Sequence, residues 1–290
     1  LKAIGNSILP LIFLGISTIL NIILDIVFVA VFQQGTFGAA VATIISQYIS
    51  GIGIGIYVLI KNKRLRNALF HFKIKKSSLK EITNYSLLTC VQQSVMNLGI
   101  LMVQGLVNSF GTSVMAAFAA AVKVDSFTYM PAQEYGNAFS TFIAQNVGAG
   151  KKKRITQGIR YGVLSVVLYC SIASLILWFL AKPLMLIFIH AKETAIIAEG
   201  IQYLHIVGPF YCGIGCLFLF YGLYRALGKP AMSVVLTIVS LGTRVALSYS
   251  ISSIPSIGVI GIWWSIPIGW GLADLLGTLY YLKYKKQLLS

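Results

Sequence analysis

The sequence predicts an all-α, polytopic membrane protein, and three observations lead to this fold class. Hydrophobic residues make up 57% of the 290 residues and charged residues only 10%, whereas soluble domains contain roughly 45–50% and about 25%. The mean hydropathy is +0.84. The apolar residues also fall into runs long enough to cross a bilayer, which takes about 20 residues of helix. A soluble enzyme, a disordered chain and a disulfide-rich secreted domain are all disfavoured.

Eight apolar runs are predicted to be membrane-spanning helices on this length criterion. They are rich in Gly, Ala and Ser, residues that let helices pack closely in lipid. In chain order the predicted spans cover residues 8–32, 37–60, 85–109, 114–147, 159–181, 195–222, 231–253 and 258–282.

The basic residues indicate how these spans are oriented. Of the 23 Lys and Arg residues, 19 lie at residue 2 or within 61–80, 151–160, 225–229 and 283–286. The intervening connections contain only Lys182 and Lys192. Positively charged connections remain in the cytoplasm, so both ends of this chain are predicted to be cytoplasmic, which an even number of spans allows. The net charge of +16 is therefore a topology signal, and no nucleic-acid partner is expected.

The stretch from Lys61 to Lys80 combines basic and apolar residues. We interpret it as a cytoplasmic linker whose cations contact anionic lipid headgroups. A specific partner site is the alternative interpretation.

An internal repeat becomes visible when the chain is shifted against itself by 223 residues. Residues 2–5 then align with 225–228, Gly35 and Gly38 with Gly258 and Gly261, and 57 with 280. Both copies start at a cytoplasmic loop, so the repeat is parallel, as in some transporters. The predicted organisation is two helices of an N-terminal lobe (1–60), a basic linker (61–84) and a complete six-helix lobe (85–290). Two equal lobes would contain twelve helices, of which this chain has eight.

Several motifs resemble the multidrug and toxic compound extrusion (MATE) transporters. The longest is the stretch 131–151, Pro-Ala-Gln-Glu-Tyr-Gly-Asn-Ala-Phe-Ser-Thr-Phe-Ile-Ala-Gln-Asn-Val-Gly-Ala-Gly-Lys. The others are the loops 2–7 and 225–230 and the sequence Gln92-Gln93-Ser94. The resemblance extends over the whole chain and places it at helices five to twelve of that family.

The resemblance implies an antiporter that exports small organic, often cationic, compounds by alternating access. It implies coupling to H⁺ or Na⁺, no resident cofactor, a location in the cell membrane and a monomeric full-length protein. Some sodium-coupled relatives have an acidic residue where this chain has Gln92-Gln93, so the coupling ion stays open. A lipid-linked saccharide flippase of the same superfamily and a transport-inactive membrane scaffold are the alternatives.

Ionisable residues inside the predicted spans are the first candidates for function, because a charge in hydrocarbon is costly. Asp125 is the leading one, since a carboxylate in a partly dry cavity can exchange a proton or bind a cation. The alternative is that Asp125 only links helices through hydrogen bonds. Lys123 projects about 200° away and is not expected to pair with it. Glu134 either holds the helix at Pro131 or faces the cavity.

Neutral polar and aromatic residues complete the predicted binding site. Gln93, Asn97 and Gln104 share one face of the third span, which predicts a cavity wall, with helix packing as the alternative. Asn137 lies on a polar stripe that follows Glu134, and Tyr129 is a candidate for cation–π contacts.

Arg244 and Asp274, on consecutive spans, are predicted to form a structural ion pair. We expect no metal site, and the sequence contains no catalytic motif, so it does not predict an enzyme.

Overall fold

The computed structural model describes residues 1–2, 5–63, 66–67 and 76–288, with the side chains of 286–288 left undescribed. The described part is almost entirely helical. It divides into two compact units, Leu1–Leu79 and Lys80–Ser290, and the division lies within the predicted linker 61–84. Half of the basic stretch Lys61–Lys80, namely residues 64–65 and 68–75, lies outside the described residues, as do residues 3–4 of the first loop motif.

The first unit is a helical hairpin. Helix α1 covers Ile8–Asp25 and continues as one π-helical segment, Ile26–Val31, and α2 covers Gly35–Lys61. Side-chain hydroxyls join the two helices: Ser17 Oγ donates to the Ser46 carbonyl at 3.0 Å, and Ser50 Oγ donates to the Phe13 carbonyl at 2.9 Å. Such bonds suit helices in lipid, where apolar packing alone gives little driving force.

The second unit contains the six predicted spans of the complete lobe. Its helices are α3 (Lys76–Asn108), α4 (Thr112–Gly148), α5 (Lys152–Leu186), α6 (Thr194–Val207), α7 (Tyr211–Ala226), α8 (Pro230–Ser252) and α9 (Val259–Leu288). Their buried faces form one core, in which Trp263, Tyr211 and Tyr224 are among the largest fully buried side chains. Helix α4 contributes many small residues to this core, which allows its neighbours to approach closely.

The span predicted over 195–222 is interrupted in the structure. Helix α6 ends at Val207, and a short 3₁₀ turn, Gly208–Phe210, separates it from α7. Pro209 explains the interruption, because proline has no N–H to donate within a helix. Within this turn the Gly208 carbonyl accepts hydrogen bonds from the Tyr211 N–H and from Ser174 Oγ on α5, the latter at 2.7 Å.

The backbone repeats the 223-residue periodicity of the sequence. Gly5 and Gly228 have φ of +84° and +75°, and Gly35 and Gly258 have φ of +56° and +52°, a region that favours glycine. Both pairs are aligned by the shift. The hairpins α1–α2 and α8–α9 therefore begin and turn at equivalent positions.

Seven helical segments of the described chain are long and apolar enough to cross a membrane. They include α6 and α7 counted together as Thr194–Ala226. The predicted span that is missing from these seven is the fourth, 114–147. It corresponds to helix α4, which has 37 residues. Its sequence contains Lys123, Asp125 and Glu134, which reduce its hydropathy. Helix α4 thus does not meet this criterion although it contains Asp125, the leading candidate.

Helix α4 continues through Pro131 because a neighbouring side chain satisfies the backbone there. Proline cannot donate to the carbonyl four residues before it, which is that of Phe127. Tyr169 on α5 donates its hydroxyl to the Phe127 carbonyl at 3.2 Å and lies 3.4 Å from the Thr128 carbonyl. This hydroxyl replaces the missing helical hydrogen bond.

We expect Tyr169→Phe to lower the free energy of unfolding by about 1 kcal/mol, the usual net value of one hydrogen bond. Pro131→Ala restores the helical donor, so Tyr169→Phe should cost less in that background. Thermal unfolding of the two single variants and the double variant in detergent measures the difference. Equal costs in both backgrounds would contradict the role assigned to Tyr169.

Candidate functional site

The second unit contains a cavity of about 440 Å³ surrounded by α3, α4 and α6 to α9. This volume is within the usual range of small-molecule sites. Most of the lining is apolar, and a large part of it is aromatic. The aromatic lining residues are Phe118, Tyr129, Tyr203, Tyr211, Phe218, Tyr221 and Trp270.

Asp125 lies in the wall of this cavity and accepts hydrogen bonds from two tyrosines. Tyr203 on α6 donates its hydroxyl to Oδ2 at 2.6 Å, and Tyr211 on α7 donates its hydroxyl to Oδ1. The turn at Gly208–Phe210 lies between these tyrosines, so the interruption of the span brings both hydroxyls to one carboxylate. Each carboxylate oxygen therefore has a donor, an arrangement that can hold a charge away from bulk water.

Aromatic packing fixes the orientation of Tyr203. Its ring meets Phe118 edge to face with centroids 5.6 Å apart, and Trp263 in the same manner at 4.9 Å. Phe118 in turn stacks on Trp263 at 5.3 Å. Because these neighbours are buried, the hydroxyl of Tyr203 is held in position for Asp125.

Arg244 on α8 also lines the cavity, so its guanidinium and the Asp125 carboxylate border the same space. Among the described residues no hydrogen bond or ion pair within 4.0 Å involves the Arg244 side chain. Its Nε atom is buried and has no hydrogen-bond partner. The cavity therefore contains a guanidinium whose donors are available.

The predicted ion pair between Arg244 and Asp274 does not form in this structure. Arg244 lies beside Gly269, where an added Cβ would be 3.5 Å from the arginine Cβ. Asp274 lies five residues further along α9, which is about 7.5 Å along the axis and 140° around it. Its carboxylate lies beside Gly213 of α7 instead, and its buried Oδ1 has no partner.

Three further predicted residues line the cavity: Lys123, Gln104 and Tyr129. The Lys123 side chain is exposed, and its Nζ lies 6.0 Å from the ring centroid of Phe188. Tyr129 packs edge to face on Phe218 at 5.1 Å. In the described part of the chain, the hydrogen-bond partners of the Asp125 carboxylate are the two tyrosines and not Lys123.

Gln93 and Asn97 do not line the cavity, and both are exposed on the surface of the unit. The contribution of α3 to the wall is Met96, Ile100 and Gln104. At 100° per residue Gln93, Asn97 and Gln104 project within about 40° of one another and share one face of α3, but Gln104 lies about 10 Å further along the helix axis than Asn97. Of these three amides, only Gln104 is in the cavity lining.

Glu134 and Asn137 belong to a separate polar cluster outside the cavity. Asn137 Nδ2 donates to Glu134 Oε1 at 3.3 Å, and Arg225 Nη2 donates to Asn137 Oδ1 at 3.2 Å. Arg225 Nε also donates to the Tyr221 carbonyl at 3.2 Å. This cluster connects α4 with the end of α7 and leads toward the loop that begins at Leu227.

Sequence analysis did not find Tyr203 and Tyr211, which contact the leading candidate directly. Both lie in an apolar run where tyrosine resembles an ordinary packing residue. The available signal was their position on either side of Gly208-Pro209, because such a pair interrupts a span and irregular helices in membranes often line cavities.

The chain is similar in sequence to known members of one family. The sequence pattern of the MatE family matches residues 87–250. The chain is 31% identical over 284 residues to the probable multidrug resistance protein YpnP of Bacillus subtilis, covering 97% of this chain and 62% of that protein. It is 27% identical over 270 residues to the probable multidrug resistance protein NorM of Thermotoga maritima, covering 91% and 57%.

A solved structure shares the fold. The Vibrio cholerae MATE transporter VcmN, solved as a mutant, superposes with a TM-score of 0.84 at 22% identity, covering 99% of this chain and 65% of that one. The chain thus spans less than two thirds of each of these three proteins.

Proposed function

Because this chain belongs to the MATE family of multidrug efflux transporters, we propose that the protein is a secondary active antiporter that exports small organic compounds. An inward gradient of H⁺ or Na⁺ drives the cycle, and access to the cavity alternates between the two sides of the membrane. No resident cofactor takes part. The protein works as a monomer in the cell membrane, with both ends of this chain in the cytoplasm and lipids around its outer surface.

The placement of Asp125 supports this proposal most directly. A carboxylate in a cavity lined mainly by aromatic and aliphatic side chains is costly unless it has a function or full compensation. Here it accepts hydrogen bonds from Tyr203 and Tyr211 and still lines the space that a ligand would enter. We assign it the coupling role: it binds the driving cation or proton in one state and releases it in the other.

The remaining predicted residues divide according to their position. Lys123, Gln104 and Tyr129 line the cavity and are proposed to contact the transported compound. Gln93, Asn97, Glu134 and Asn137 are outside it and receive no binding role in this unit. The cluster of Glu134, Asn137 and Arg225 is proposed to tie α4 to α7 during the conformational change.

Inside-out vesicles containing the full-length protein test this function. Accumulation of a fluorescent organic dye is measured with an imposed pH gradient, an imposed Na⁺ gradient, or neither. We expect accumulation with at least one gradient, and its collapse when nigericin or monensin dissipates that gradient. Accumulation that requires ATP and survives both ionophores would contradict secondary active transport.

A further inference from the structure

We infer that the cavity around Asp125 and Arg244 binds organic anions: compounds with an aromatic body and a carboxylate or a similar oxyanion. The inference rests on the proposed transport function, and it specifies the chemical class of the ligand. It differs from the cationic substrates that the family resemblance implies.

Arg244 favours an anionic ligand. A guanidinium has five N–H donors and no acceptor, and it requires acceptors when it is removed from water. Among the described residues none accepts a hydrogen bond from it, and its Nε is buried. The planar donor fork matches a carboxylate, phosphate or sulfonate with two parallel hydrogen bonds. An anionic ligand would supply the acceptors that the protein does not.

Asp125, the acidic residue of the cavity lining, is poorly available to a cationic ligand. A cationic ligand would need its carboxylate as a partner. Both of its oxygens already accept tyrosine hydroxyls, and Arg244 contributes a positive charge to the same lining. A bulky organic ammonium would therefore compete with two hydrogen bonds and be repelled by the arginine, whereas the proton or small cation of the coupling role can use a remaining lone pair of the carboxylate.

The net charge of the whole lining also favours an anion. Lys123 and Arg244 contribute two positive charges, and Asp125 contributes one negative charge. An anion thus enters a lining with an excess of positive charge, in an apolar setting where charge interactions are stronger than in water. Lys123 is exposed, so it can meet a ligand before the ligand reaches Arg244.

The aromatic lining favours a ligand with an aromatic ring system. Seven aromatic side chains line the cavity. Offset or edge-to-face contacts with such rings favour a flat aromatic compound. An aromatic carboxylate would satisfy both the rings and the guanidinium.

Three probes that differ in charge test the inference: 2-naphthoate, 2-naphthylmethanol and 2-naphthylmethylammonium. Binding is measured by isothermal titration to the full-length protein in nanodiscs. We expect naphthoate to bind at least about 10-fold more tightly than the neutral alcohol, since hydrogen bonds to charged groups contribute roughly 1.5–3 kcal/mol. The ammonium compound should bind most weakly.

Substitutions of Arg244 test whether this residue is responsible for the affinity for naphthoate. Arg244→Gln should weaken naphthoate binding by roughly 10- to 100-fold, the same free energy expressed as a ratio, and leave the alcohol unaffected. Arg160→Gln, which removes an exposed arginine outside the cavity lining, is the matched control and should change nothing. Arg244→Lys, for which correct folding is easier to retain, should lose part of the affinity because the ammonium lacks the planar fork.

The results separate this inference from the proposed function. Naphthoate binding that depends on Arg244, without gradient-driven accumulation of any dye, would support the anion site and contradict transport. Gradient-driven accumulation together with tighter binding of the ammonium probe would contradict the anion site alone. Naphthoate affinity that is unchanged in Arg244→Gln would also overturn it, because Arg244 would then serve only as a counter-charge for Asp125.

Discussion

Replacing Asp125 by asparagine is expected to reduce gradient-driven efflux to the level of membranes without the transporter. Asparagine has nearly the same shape, and its carbonyl oxygen can still accept a hydrogen bond from Tyr203 or Tyr211. The substitution removes the charge, and with it the capacity to bind and release a proton or cation. Binding of a neutral ligand should persist, because the cavity wall keeps its form.

The measurement is dye accumulation in inside-out vesicles, normalised to the amount of protein in the membrane. Glu134→Gln is the matched control, because it makes the same chemical change in the same helix. Glu134 is exposed and accepts a hydrogen bond from Asn137 outside the cavity. Glutamine keeps a side-chain oxygen that can accept this bond and preserve the link between α4 and α7, so this variant should retain efflux. If Asp125→Asn exported dye at the normal rate, the coupling role would belong to another residue. Loss in both variants would mean that α4 tolerates no loss of charge.

The helices and the repeat could be predicted from local sequence properties. Helix length follows from bilayer thickness and the repeat from a constant offset, whereas the orientation inferred from the distribution of Lys and Arg remains a prediction. The equivalent positive φ angles of Gly35 and Gly258 show that the repeat extends to single backbone positions. Predicting these features does not require knowing which sides of the helices are in contact.

The contacts of the candidate site depend on such knowledge, and here prediction from sequence was incomplete. An amphipathic pattern identifies a polar face, but it does not decide which of its residues reach the cavity: Gln104 does, and Asn97 on the same face does not. Similarly, opposite charges on consecutive helices suggested a pair, although Asp274 lies about 140° around α9 from Gly269, the residue beside which Arg244 packs. Helix rotation and the depth of each residue are set by packing between distant segments.

The tyrosines illustrate a second limit. Asp125 was recognised because a carboxylate in an apolar run is unusual, whereas tyrosine is common in such runs. The role of Tyr203 and Tyr211 depends on the turn at Gly208–Phe210, which separates the two helices that contain them. A sequence shows that proline interrupts a helix, but the positions of the two hydroxyls depend on packing against neighbours such as Ser174, whose hydroxyl donates to the Gly208 carbonyl.

The second large effect is expected where α4 crosses α7, beside the cavity. A Cβ added to Gly222 would lie 2.6 Å from the carbonyl oxygen of Gly136, and one added to Gly136 would lie 2.9 Å from the carbonyl oxygen of Phe218. Both obstacles are backbone atoms, which cannot move aside as a side chain would. Gly222→Ala should therefore lower the free energy of unfolding by about 1–3 kcal/mol, the usual cost of overpacking.

Gly242→Ala is the control, because a Cβ at that position meets nothing within 4 Å. Alanine is favoured over glycine in a helix by up to about 1 kcal/mol, so this variant should be neutral or slightly more stable. Thermal unfolding in detergent, followed by size-exclusion chromatography, compares the two. Equal stability of the variants would mean that α4 and α7 can separate at no cost. In that case the close glycine crossing could not be what holds Asp125 on α4 against the hydroxyl of Tyr211 on α7.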